Sequence, residues 1–92
     1  MNTIKVKHKH SHDKQEAWEK AEEMLEDLAS KYGLNIEHDG DSQISFSGSG
    51  ISGTVDISHN EIHLSATLSF LMIAMKSVIT NEIKNKLSEK FV

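Results

Sequence analysis

The sequence predicts an α+β fold in which two helices pack on one face of an antiparallel sheet, in the order β-α-β-β-β-β-α. Apolar and polar residues alternate at the N-terminus and repeatedly through the middle of the chain, a pattern typical of strands with one wet face. Two longer segments, one after the first strand and one at the end, have apolar residues at helical spacing. Helices on the same face of the sheet would bury both apolar stripes.

Local signals mark the first strand and the first helix. Ile4 and Val6 alternate with lysines, which often protect an exposed sheet face or edge from unwanted pairing. Asp13 and Glu16 fit a capping box that begins a helix, and Gly33 is a good residue to end it. The apolar stripe between them consists of Ala17, Ala21, Met24, Leu25, Leu28 and Tyr32.

Short alternating runs separated by turn residues follow the first helix and predict a meander of four strands. Turns are expected at residues 39–41, 48–50 and 58–61, which are rich in glycine, serine and acidic residues. Gly53 lies on the apolar side of the third of these strands. The missing side chain there could admit a helix or a ligand.

The last segment predicts a helix from about Ser69 to Phe91. Its apolar positions at helical spacing are Leu71, Met75, Val78, Ile79, Ile83 and Leu87. The first turns are apolar almost all round, which is typical of a buried helix, so core packing is the simpler interpretation. If part of it is exposed, Phe70, Leu71, Met72 and Met75 would form an adaptable hydrophobic surface for a ligand or partner.

Composition limits the number of domains and the classes of partner that the chain is expected to bind. The 92 residues suffice for one domain, expected over residues 1–92, with one small core. The formal net charge is −4, and the ten basic residues are all lysine. A mild acidic excess without arginine argues against nucleic-acid binding, because bidentate guanidinium contacts are its usual tools.

Localisation is predicted from two further features. The chain has no cysteine, which fits a reducing compartment and excludes disulfides. The longest apolar run, residues 70–75, is far shorter than the about 20 residues that cross a bilayer, and the N-terminus does not resemble a secretory signal. We therefore expect a cytoplasmic protein without a transmembrane segment.

Histidines and one carboxylate are the candidate polar groups. His8, His10 and His12 would project to one face of a continuous strand and are a candidate for a metal site, although their simpler role is structural. His10 and Asp41 could together serve a polar site. No catalytic residue is predicted, because no acid–base pair at a fixed spacing is visible. No cofactor is expected.

Several motifs, in order, resemble the polyhydroxyalkanoic acid system protein family, whose small members are encoded near bacterial polyester-granule genes. They are Ile4-x-Val6 with His10-Ser11, the first helix, Tyr32-Gly33-Leu34, Gly40-Asp41, Phe46, Gly50-Ile51-x-Gly53, and Leu68-Ser69-Phe70-Leu71 followed by Lys76, Ile79, Glu82 and Ile83. The resemblance covers nearly the whole chain and implies a context in storage-polymer metabolism.

Two functional hypotheses follow from the resemblance and the residues together. The first is a non-enzymatic accessory protein of polyhydroxyalkanoate storage that binds a granule surface, an acyl-type ligand or a granule protein through the apolar start of the last helix. The alternative is a small enzyme or carrier with an apolar cavity between the sheet and the C-terminal helix. A homodimer formed through a sheet edge or a helix is compatible with both.

Overall fold

A computed structural model describes residues 2–40 and 42–91. Within them the elements are β1 (Thr3–Lys9), α1 (Lys14–Tyr32), β2 (Asn35–Asp39), β3 (Gln43–Ser47), β4 (Ile51–Ile57), β5 (Glu61–Leu68) and α2 (Lys76–Lys90), with a 3-10 helix over Phe70–Met75 joined to the start of α2. The predicted fold class and element order are confirmed. No helix of the described residues is long and apolar enough to span a membrane.

The strands form one sheet in the order β1-β5-β4-β3-β2, and every neighbouring pair is antiparallel. β1 pairs with β5, so that Ile4 lies opposite Ala66 and Val6 opposite Leu64. β1 and β2 form the two opposite edges of the sheet. Because strand direction alternates across the five strands, β1 and β2 run in the same direction.

Both helices pack on one face of the sheet and enclose the core. α1 contacts β2 and β4, whereas α2 contacts β1 and α1. Alternate strand residues point towards the helices, and the intervening residues form a polar outer face. The largest fully buried side chains are Met24, Leu25, Ile44, Val55, Ile62, Leu64, Leu68, Ile79, Ile83 and Leu87.

The ends of α1 are those that the sequence predicts. The Asp13 carboxylate accepts a hydrogen bond of 2.8 Å from the backbone N–H of Glu16. Gly33 adopts a left-handed conformation with φ of 67°, and its N–H donates to the carbonyl of Ala29. The predicted stripe of α1 is buried from Ala17 to Leu28, and Tyr32 is half-buried.

The last segment differs from its prediction at the start. Residues 70–75 form a 3-10 helix, and the α-helix begins only at Lys76. A 3-10 helix has three residues per turn instead of 3.6, so apolar residues spaced for an α-helix do not stay on the side that faces the core. The buried stripe therefore consists of Ile79, Ile83 and Leu87 alone. Core packing is the wrong interpretation for most of residues 70–75.

Gly53 leaves no space for a ligand. It pairs with Phe46 on one side and with Ala66 on the other. A Cβ at this position would lie 2.7 Å from the Cα of Ala66 and 2.9 Å from Cζ of Phe46, and it would also collide with the carbonyl oxygen of Ser65. The neighbouring backbone and the Phe46 ring thus fill the space that a ligand or helix would need.

A polar cluster joins the C-terminal turn of α1 to α2. Lys31 Nζ donates to Glu82 Oε2 at 2.7 Å, and Tyr32 Oη donates to Glu82 Oε1 at 2.5 Å. These two hydrogen bonds, led by that from Lys31, lower the pKa of Glu82 below its ordinary value of 4.5. Burial, together with the Glu82 carboxylate, raises the pKa of Tyr32 to about 12.

This cluster predicts a measurable acid dependence of stability. Because the folded state lowers the pKa of Glu82, its contribution to stability is present above the unfolded pKa of 4.5 and is lost as the pH falls through the folded pKa. Glu82→Gln should therefore reduce the fall in the free energy of unfolding between about pH 5 and pH 3. Urea unfolding across this range tests it, with Glu89→Gln, an exposed carboxylate of the same helix, as control. Equal slopes for wild type and Glu82→Gln would contradict the assignment.

Candidate apolar binding surface

Five large apolar side chains are exposed together at one end of the molecule. They belong to the 3-10 helix and the first turn of α2, and we call them the apolar surface: Phe70, Leu71, Ile73, Met75 and Val78. Phe70 is 87% exposed and Leu71 is 86% exposed, so both leave almost their entire side chains in water. Single exposed apolar residues are common, but several within one short segment mark an interaction site or an aggregation liability.

The segment that carries the apolar surface is fixed to the sheet. The backbone N–H of Ser69 donates to the carbonyl of Gly50 at 2.9 Å, and the N–H of Met72 donates to the carbonyl of Ser69 at the same distance. Met72 is half-buried, contacts Gly50 and packs against the core. Of the four residues predicted for a surface, Met72 is thus an anchor, whereas Phe70, Leu71 and Met75 are exposed.

Sequence reasoning missed two members of the apolar surface, Ile73 and Val78. Val78 belongs to the apolar stripe predicted for the last helix, yet it is 56% exposed. A signal in the sequence separates it from Ile79: the residues four and eight positions after Ile79 are the apolar Ile83 and Leu87, whereas those after Val78 are Glu82 and Lys86. The α-helix that begins at Lys76 turns the side with Ile79, Ile83 and Leu87 towards the core and leaves Val78 outside it.

The apolar surface has uncharged surroundings on the side of the sheet, whereas Val78 at its other end lines a shallow hollow with Lys31, Glu82, Lys86 and Glu89. Residues 42–55 and 64–75 contain no charged side chain, although 26% of the chain is charged. The pairing of β4 with β5 and the bond from Ser69 to Gly50 bring these two segments together next to the 3-10 helix. A shallow neutral hollow there is lined by Asn2, residues 48–52 and residues 67–69. On the side of the sheet, the exposed end therefore combines hydrocarbon with hydroxyl, amide and backbone groups.

His10 has backbone partners at both ring nitrogens. Nε2 lies 3.0 Å from the carbonyl of Ser58, and Nδ1 accepts from the backbone N–H of His12 at 3.2 Å. The acceptor role of Nδ1 places the proton on Nε2, which donates to Ser58. This arrangement ties the β1–α1 connection to the β4–β5 turn and agrees with a structural role. Asp41, its predicted partner in a polar site, lies outside the described residues.

The three N-terminal histidines surround Phe91 and do not converge on a common point. Their ring centroids lie 6.1, 5.7 and 6.0 Å from that of Phe91, in the order His8, His10 and His12. His12 Nδ1 lies 3.4 Å from the Glu16 carboxylate, and His12 Nε2 is buried without a hydrogen-bond partner. Among the described residues, no three histidine or acidic side chains are placed to hold a metal ion.

The space between the sheet and the helices is too small for an acyl ligand. The cavity there is about 10 Å³ and is lined by apolar residues of α1, α2 and the strands, including Leu28, Phe46 and Ile83. Ligand pockets usually measure about 300–1,000 Å³. The described residues thus offer no preformed acyl cavity between sheet and helices of the kind that the carrier hypothesis needs.

Comparison with known proteins supplies the context for this surface. A family model described as "Putative polyhydroxyalkanoic acid system protein" matches residues 4–91. The chain belongs to this family. The match extends from the second residue of β1 to the residue after α2, and it confirms the resemblance that the motifs suggest. No curated protein and no solved structure matches the chain. The description of the family names the polyhydroxyalkanoic acid system.

Proposed function

We propose that this chain is a non-enzymatic accessory protein of polyhydroxyalkanoate storage that binds the surface of the polyester granule through its apolar surface. The observation that carries the proposal is the pair Phe70 and Leu71, which are adjacent and almost fully exposed on a segment anchored to the core. Family membership supplies the polyester context.

The energetics of the apolar surface suit adsorption to an apolar phase. Full burial of a Phe or Leu side chain contributes about 1.5–3 kcal/mol. The backbone bonds of Ser69 and the packing of Met72 already order the segment, so that binding loses less conformational entropy than it would for a flexible loop.

The charge distribution favours a neutral polyester over an anionic lipid bilayer. Segments that bind anionic membranes usually combine an apolar face with many Lys or Arg residues. Here the two strand-and-turn segments beside the 3-10 helix are uncharged, and the chain has no arginine. An ester surface presents carbonyl acceptors and hydrocarbon, which match the hydroxyl donors and apolar side chains at this end of the molecule.

Co-sedimentation with granules tests the proposal. Purified protein is incubated with native polyhydroxyalkanoate granules, with protein-free particles of the same polyester, and with albumin-blocked latex beads. We expect sedimentation with both polyester samples and not with the beads. Binding to native granules but not to protein-free particles would show that the partner is a granule protein and not the polyester itself. No association with granules, or equal association with the blocked beads, would contradict the proposal.

A further inference from the structure

The two free edges of the sheet carry opposite charges on the outer face. β1 presents Lys5, Lys7 and Lys9 at one edge, and β2 presents Glu37 and Asp39 at the other. All five residues are exposed. Among residues 2–40 and 42–91, neither the three lysines nor Glu37 forms an ion pair within 4 Å. The Asp39 carboxylate accepts a hydrogen bond from the Ser45 hydroxyl.

The strand register aligns these charges across the sheet. One transverse row reads Lys5, Ser65, Thr54, Ser45 and Glu37. The next row reads Lys7, His63, Asp56, Gln43 and Asp39. Each row thus begins with a lysine at the β1 edge and ends with a carboxylate at the β2 edge. A third row begins at Thr3 and ends at Asn35, both of which are neutral.

We propose that the β1 edge of one copy pairs with the β2 edge of a second copy, so that the sheet continues from molecule to molecule. β1 and β2 run in the same direction, so the new pair is parallel and side chains keep their faces across the junction. In the register of the rows, Lys5 lies beside Glu37 of the second copy and Lys7 beside its Asp39. These contacts provide an attraction that complements the backbone hydrogen bonds of the two edges.

Charge also disfavours the other edge pairings. A β1–β1 contact would oppose lysines to lysines, and a β2–β2 contact would oppose Glu37 and Asp39 to themselves. Like charges opposite each other on paired strands are destabilising. The complementary contact is heterologous, so it produces head-to-tail chains or rings and not a closed two-fold dimer. β2 has only five residues, and the association is accordingly weak and sensitive to salt.

The alternative role of the lysines is protection of the β1 edge from pairing, and the two roles predict opposite results. Sedimentation equilibrium of the full chain at about 50 mM salt should show a weight-average mass that rises with concentration. The rise should be much smaller at about 1 M salt, where the screening length falls to about 3 Å. A monomer at every concentration and low salt would overturn the proposal, as would association that high salt leaves unchanged.

Charge reversal identifies the two edges. Lys5→Glu/Lys7→Glu and Glu37→Lys/Asp39→Lys should each weaken self-association at least about tenfold, because two attractive contacts become repulsive. An equimolar mixture of the two variants should associate again, since each reversed edge then meets its complement. Unchanged self-association of either double variant, or a mixture that stays monomeric, would overturn the assignment.

Matched control variants separate edge pairing from net charge. Lys20→Glu/Lys84→Glu and Glu19→Lys/Glu26→Lys change the net charge equally but lie on the helices. They should associate as wild type does. Phe70→Ser/Leu71→Ser should also associate normally, since the proposed contact does not involve the apolar surface. Thermal unfolding of every variant verifies that a loss of association is not a loss of folding.

Discussion

Phe70→Ser/Leu71→Ser is expected to weaken binding to polyester granules on the order of a hundredfold while leaving the fold intact. The two side chains are 87% and 86% exposed in the free protein, so their removal creates no cavity in the core. If both become buried on the granule, their loss costs at least about 3 kcal/mol of binding free energy, which corresponds to about two orders of magnitude in affinity. Co-sedimentation at several granule concentrations measures this shift, and thermal unfolding verifies the fold.

Two serine variants serve as controls for this prediction. Ile36→Ser removes a half-buried apolar side chain of β2, outside the apolar surface, and should retain granule binding. Met72→Ser removes the anchor and should lower both stability and binding, because the segment loses its contact with the core. Wild-type binding by the folded Phe70→Ser/Leu71→Ser variant would exclude the apolar surface as the granule contact.

Gly53→Ala is expected to destabilise the protein by about 3 kcal/mol, the upper end of the usual cost of overpacking and a large part of the about 5–15 kcal/mol that stabilises a typical domain. The added Cβ would collide with the carbonyl oxygen of Ser65 and lie 2.7 Å from the Cα of Ala66. Both atoms belong to the backbone of β5, so relief requires β4 and β5 to move apart and not merely a change of rotamer. Denaturant unfolding followed by circular dichroism measures the difference, and failure to fold would be the extreme form of the same result.

Gly33→Ala is the appropriate comparison for Gly53→Ala. Gly33 has a φ of 67° but nothing within 4 Å of the position of a Cβ. The expected cost is therefore only the conformational penalty of about 1–2 kcal/mol. Equal stabilities for Gly53→Ala and Gly33→Ala would show that the close approach of the two strands does not exist in solution.

Local chemistry explains which parts of the fold could be predicted from the sequence. The boundaries of α1 depend on Asp13, Glu16 and Gly33, whose hydrogen bonds and φ angle are properties of a few neighbouring residues. The one-sided meander follows from alternation within each strand. The place of β1 beside β5 could not be predicted in the same way, because α1 separates β1 from every possible neighbour and pairing is a long-range contact.

The candidate site was also predicted only in part, because it too depends on contacts between residues that are distant in sequence. The apolar character of Phe70, Leu71 and Met75 makes them candidates, but their exposure depends on the 3-10 geometry and on the anchoring of Met72. The partners of His10 come from Ser58 and His12, and the ring of Phe91 packs nearby. The carboxyl end of the last helix is distant in sequence, so its contact with the histidines could not be inferred from their spacing.

The most direct test of the granule contact uses the absence of cysteine in the chain. An environment-sensitive fluorophore is attached to Leu71→Cys. The control carries the same label at Glu19→Cys on α1, roughly 18 Å along the helix from Lys31, which lies at the end of α1 that bonds to α2. If the apolar surface enters the polyester, granules shift the emission of the label at position 71 to shorter wavelength and leave that at position 19 unchanged. No shift at position 71 in a protein that still co-sediments, or equal shifts at both positions, would contradict the account.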